Sequence, residues 1–111
     1  PQGLNKNEAQ KLIYEAEQIE KAGAFSIVLE CISPKVAKKI TEKIKIPTIG
    51  IGSSNLCDGQ ILVTDDLIGL SGFYPKFVKK YLDLEKIIEK TIKRFKEDVR
   101  KGKFPKKINT Y

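Results

Sequence analysis

The sequence predicts an α/β fold built on parallel strands. Two short apolar runs, Phe25–Leu29 and Pro47–Ile51, flank one amphipathic helical pattern. A parallel return needs a crossover of about a dozen residues, which is the spacing between these runs. A third apolar run, Gln60–Val63, follows a polar loop and reads as another strand. In parallel architectures function gathers at the carboxyl ends of the strands. The first run ends there in a lone carboxylate, Glu30, and the second in glycines.

Taken in order, the chain opens with a capping-box pattern, Asn5 followed by Glu8. Ala9, Leu12, Ile13, Ala16 and Ile19 then recur at helical spacing, and Gly23 stops that helix. In the strand Phe25–Glu30, residues Phe25, Ile27, Leu29 and Cys31 share the greasier face, expected under the helices. Ser26, Val28 and Glu30 share the inner one. Ser33 and Pro34 open the second helix as N-cap and first-turn proline, with Val36, Ala37, Ile40 and Ile44 as its buried stripe. The second strand runs from Thr48 to Gly52. A short helix is expected over 75–81, PKFVKKY. A longer one follows Asp83, with Leu84, Ile87, Ile88, Thr91, Ile92, Phe95 and Val99 in one stripe and Gly102 beyond its end. Residues 103–111 carry no periodicity and read as a loose tail or a clamp on a neighbour.

Composition bounds the function. The chain has 111 residues, 41% hydrophobic and 32% charged, which describes a globular chain of one domain at most. A closed barrel of eight strand–helix units typically needs about 250 residues. No apolar run approaches the ~20 residues of a membrane span, and no secretory signal stands at the start. Pro1 is not an initiator residue, which implies processing or upstream sequence. With no histidine, Ser–His and Cys–His nucleophile pairs are excluded within this chain. Cys31 and Cys57 form no CxxC pair, and free thiols fit a reducing cytoplasm. Residues 1–70 carry 8 Lys/Arg against 9 Asp/Glu, and residues 71–111 carry 13 against 5, so the net charge of +7 lies in the C-terminal part. A solvated helix face is the plain explanation of that charge; a small basic binding module for RNA or an acidic partner is the competing one.

Three places could carry chemistry. Glu30 continues an apolar strand, and a carboxylate that loses hydration there is suited to acid–base work. The alternative is a glutamate that turns outward and pairs with a lysine. The turn Gly50–Ser54 could bring backbone N–H groups to a ligand, although close strand packing explains its glycines equally well. Asp65 and Asp66 suggest a hard-cation site, but one pair supplies too few oxygens, and capping of a helical turn over 67–70 is the stronger reading.

The segments AFSIVLEC, AKKITEKIKIPTIGIG, CDGQILVTDDLIG and YPKFVKKY, in this order and spacing, resemble the ketopantoate hydroxymethyltransferase family over nearly the whole chain. The resemblance implies the C-terminal part of a (β/α)8 TIM barrel of the phosphoenolpyruvate mutase and isocitrate lyase type. That part comprises strands six to eight and the C-terminal helices. It implies transfer of a one-carbon unit from 5,10-methylenetetrahydrofolate to α-ketoisovalerate, for pantothenate synthesis. Magnesium (Mg2+) chelates the keto acid, and members assemble as homo-oligomers, commonly decamers.

Glu30 matches the family's catalytic glutamate, which either takes the substrate's proton or protonates a folate nitrogen. Ile51, Ile61 and Val63 match positions lining the apolar side of the keto-acid pocket. The metal-binding aspartates and substrate lysine belong to strands upstream of Pro1, and Asp65–Asp66 does not match them. Where the family reads IGIGAG this chain reads IGIGSS, so Ser53 and Ser54 alter the folate-side loop. Three strands leave an open sheet edge and a bare face. The isolated chain is therefore expected to be inactive without the missing barrel portion.

Overall fold

A computed structural model describes all residues, 1–111. The first helix, α1 (Lys6–Lys21), starts where Asn5 accepts a hydrogen bond from the Glu8 amide at 2.9 Å. It stops at Gly23, whose φ of 97° is one that a side chain resists. There the Gly23 amide donates to Glu20 and the Ala24 amide to Ile19, so two terminal carbonyls find partners. Strand β1 (Ile27–Glu30) follows, then α2 (Pro34–Lys43), β2 (Thr48–Ile51) and β3 (Gly59–Gln60). The three strands form one parallel sheet in the order β1-β2-β3.

The chain divides into two compact units, one of residues 1–63 with 75–78 and one of residues 64–74 with 79–111. In the first, α1 and α2 pack on one face of the sheet around Ala16, Leu29, Ile32, Val36, Ala37, Ile40 and Ile44. Strand parity follows the sequence reading: Leu29 is 2% exposed and its neighbour Val28 53%. Phe25 departs from it. The strand begins only at Ile27, so Phe25 precedes the pleat and stands in solvent.

Three further expectations are corrected. The third strand is two residues, not the four of Gln60–Val63. Because β3 pairs only with Ile49 and Gly50, the return from β2 is short, and residues 52–58 make it without a helix. Ser33 does stand at the N-cap of α2, but its hydroxyl donates to the Gly3 carbonyl at 3.2 Å and makes no cap bond. Residues 75–81 form no helix. A single turn closes there, with the Val78 amide donating to Pro75, and one such bond does not nucleate a helix.

The second unit holds α3 (Thr64–Ile68) and α4 (Leu84–Arg100), followed by a single 3-10 turn at Lys107–Asn109. Asp65 and Asp66 lie in the first turn of α3, and the Asp66 carboxylate accepts a hydrogen bond from Ser71. Helix α4 has the expected length, but its apolar stripe is exposed within this chain. Phe104 sets its ring edge-on against Phe95, with centroids 5.4 Å apart.

Candidate active site

The carboxyl edge of β1 and β2 gathers the singled-out residues that the fold brings together. In the parallel register Glu30 lies opposite Ile51, and Val28 opposite Ile49. Lateral neighbours in a sheet share a face about 4.8 Å apart. Glu30 and Ile51 therefore stand side by side on the face that α1 and α2 leave open. Ile51 is 7% exposed, whereas the Glu30 side chain is open to solvent. The Ile61 amide donates to the Gly50 carbonyl at 3.0 Å, which continues the register and sets Ile61 level with Ile51. Val63 lies beyond the ladder, and both it and Ile61 are exposed. Glu30 is thus placed at a strand end among apolar neighbours, with no lysine partner among the ion pairs.

The backbone after Glu30 turns sharply. Cys31 takes a φ of 52°, the one non-glycine residue in the left-handed region. Its amide donates to Ile51 at 2.9 Å, and its carbonyl accepts from Gln2 at 2.8 Å. Ser53 crosses to the same turn. Its hydroxyl donates to the Leu29 carbonyl at 2.7 Å and accepts from the Ile32 amide at 3.1 Å.

Gly52, at φ 65°, faces Phe77, and a Cβ there would lie 2.8 Å from the aromatic ring. Only glycine fits. A cleft of about 690 Å³ opens beside this loop, lined by Cys31, Ile32, Ser53, Asn55, Lys76 and Phe77 among others. Glu30, Ile61 and Val63 do not line it. The cleft and the carboxylate occupy the same strand edge but are not one pocket.

Sequence reasoning missed a second polar group below this edge. The Thr48 amide donates to Asp58 Oδ2 at 2.8 Å, and the Asp58 amide donates back to Thr48 Oγ1 at 3.2 Å. Thr41 Oγ1 donates to the Ala37 carbonyl at 2.8 Å and lies 2.8 Å from Thr48 Oγ1. This group joins α2, β2 and the loop before β3. An aspartate just before a glycine was its signal in the sequence, since such residues hydrogen-bond nearby backbone. Ser53, in contrast, gave no local sign, because its partners lie 24 and 21 residues away.

No three His, Cys, Asp or Glu side chains converge in this chain. The residues present do not make a magnesium site, and no chemical step is assigned to a metal here. No helix is long and apolar enough to cross a membrane.

Comparison with known proteins agrees with this edge. The family model described as ketopantoate hydroxymethyltransferase matches residues 1–107. A 3-methyl-2-oxobutanoate hydroxymethyltransferase of Pelagibacter ubique is 51% identical over 100 residues, covering 90% of this chain and 39% of the relative. One from Sulfolobus acidocaldarius is 50% identical, over 96% of this chain and 40% of the relative. One from Helicobacter pylori is 48% identical, over 98% and 41%. The chain therefore spans about two-fifths of the length of these relatives. The competing basic binding module finds no support in these matches. With strands, edge and turns of one α/β unit all inside the matched stretch, the chain belongs to the ketopantoate hydroxymethyltransferase family.

Proposed function

We propose that this chain is the C-terminal part of a (β/α)8 barrel, strands six to eight with the helices that follow. On this reading it supplies the base of a hydroxymethyl transfer to α-ketoisovalerate. The observation that carries it is the register: Glu30 ends β1 beside Ile51, on the open face of a parallel sheet. The keto acid carries an acidified hydrogen on the tertiary carbon next to its ketone. Glu30 takes that proton, and the carbon then bonds to the methylene unit of 5,10-methylenetetrahydrofolate. Water supplies the new hydroxyl and tetrahydrofolate leaves.

Ile51, Ile61 and Val63 form the apolar wall for the isopropyl group. Such a wall limits the water around the reacting carbon. The rest of the barrel covers the open face and supplies the groups absent here, including the ligands for Mg2+. It also covers the exposed stripe of α4, and the complete enzyme assembles as a homo-oligomer of the family's decameric kind. Cys31 and Cys57 are free thiols, which supports a cytoplasmic setting.

The test is a chimaera in which this chain replaces the matching segment of the Pelagibacter ubique relative. The parental chimaera turns over α-ketoisovalerate. Glu30→Gln lowers its kcat by about a hundredfold or more, the scale of a lost general base, while keto-acid binding stays within about threefold. Exchange of the C3 hydrogen in deuterated water without folate is lost with it. An inactive parental chimaera, or C3 exchange persisting in Glu30→Gln, overturns the reading.

A further inference from the structure

We propose that Ser53 is a positioning residue for Glu30. This rests on the assignment of Glu30 as the base and adds the device that aims it. The Ser53 hydroxyl binds the Leu29 carbonyl at 2.7 Å and the Ile32 amide at 3.1 Å, which bracket the Glu30–Cys31 pair on both sides. One hydroxyl can donate once and accept as well, so both bonds are satisfied by a single side chain. Between them Cys31 stands at φ 52°, a conformation that a residue with a Cβ resists unless its surroundings hold it.

Two backbone bonds, from the Cys31 amide to Ile51 and from the Gln2 amide to Cys31, fix the turn from the sheet side and from the N-terminal segment. Ser53 supplies the remaining bond, to the Ile32 amide. The direction in which β1 delivers its final side chain depends on this turn. A general base acts only from a defined place, so loosening the turn moves the carboxylate relative to the carbon it must reach. Where the family has alanine the hydroxyl is missing, so the tie is a feature of this chain and not a general one.

The experiment uses the complete chimaeric enzyme described above. Ser53→Ala lowers kcat about tenfold, the scale of one lost positioning hydrogen bond, and leaves KM for the keto acid within about twofold. Folate-independent C3 exchange falls by the same factor. Ser53→Thr, which keeps the hydroxyl, recovers the rate to within about threefold of the parent. Amide hydrogen exchange at Cys31 and Ile32 rises about tenfold in Ser53→Ala and stays parental in Ser53→Thr.

Parental kcat in Ser53→Ala overturns the proposal, as does a threonine variant as slow as the alanine one. So does a lowered unfolding temperature with unchanged rate and amide exchange. Failure of the Glu30 reading is read separately. Glu30→Gln that still exchanges C3 hydrogen removes the base whatever Ser53 does, whereas an inert Glu30→Gln beside a fully active Ser53→Ala removes only the positioning role.

Discussion

Helices α2 and α4 carry nearly the same sequence logic and meet opposite fates. Each has an apolar stripe at helical spacing and lysines on its other side. In α2 the stripe is the centre of the core, with Ile40 1% exposed. In α4 it faces solvent, with Ile92 61% exposed. Periodicity thus specifies which side of a helix seeks cover, and says nothing about whether the cover lies in the same chain. The threonines repeat the contrast. Thr41 and Thr91 each donate to the carbonyl four residues back at 2.8 Å, but Thr41 also meets Thr48 Oγ1. The same local bond is embedded in one helix and isolated in the other.

Substitutions can break that contrast. Ile40→Ala opens a cavity in a closed core and costs about 2–5 kcal/mol, measured by denaturant unfolding. Thr41→Val removes a partner of a buried hydroxyl and costs about 1 kcal/mol, whereas Thr91→Val changes stability by less than ~0.3 kcal/mol. Smallest is Ile92→Ala, at about 0.5 kcal/mol or less in this chain, since little of that side chain is buried. In the complete chimaera the same change rises to about 2 kcal/mol if the stripe is covered there. Equal losses for Ile40→Ala and Ile92→Ala in this chain would erase the distinction.

Much of the first unit was legible in the sequence because its determinants are local. Asn5 and Gly23 bound α1, and alternation in the first strand separates Leu29 from Val28 and Glu30. Local pattern failed where a distant partner decides. The apolar run 60–63 reads as a strand, but only its first residue has ladder partners as a strand residue. PKFVKKY has helical spacing, yet Phe77 is held over Gly52 and the segment stays a turn. Ser33 is a good capping residue whose hydroxyl finds Gly3 instead. At the candidate site, the place of Glu30 at a strand end was visible. The turn that follows it was not, because nothing in the letters of Cys31 announces a left-handed backbone.

That left-handed residue makes the end of the first strand a fixed stop. A strand held only by its ladder can slide by one residue, which exchanges the two faces of every side chain on it. Here such slippage would turn Leu29 outward to the rim and press the carboxylate of Glu30 among the aliphatic groups beneath the helices. It would also carry Glu30, a residue with a Cβ, into the reversed backbone now taken by Cys31. The chain is thereby pinned in the one alignment that leaves an acid, and not a leucine, last in line.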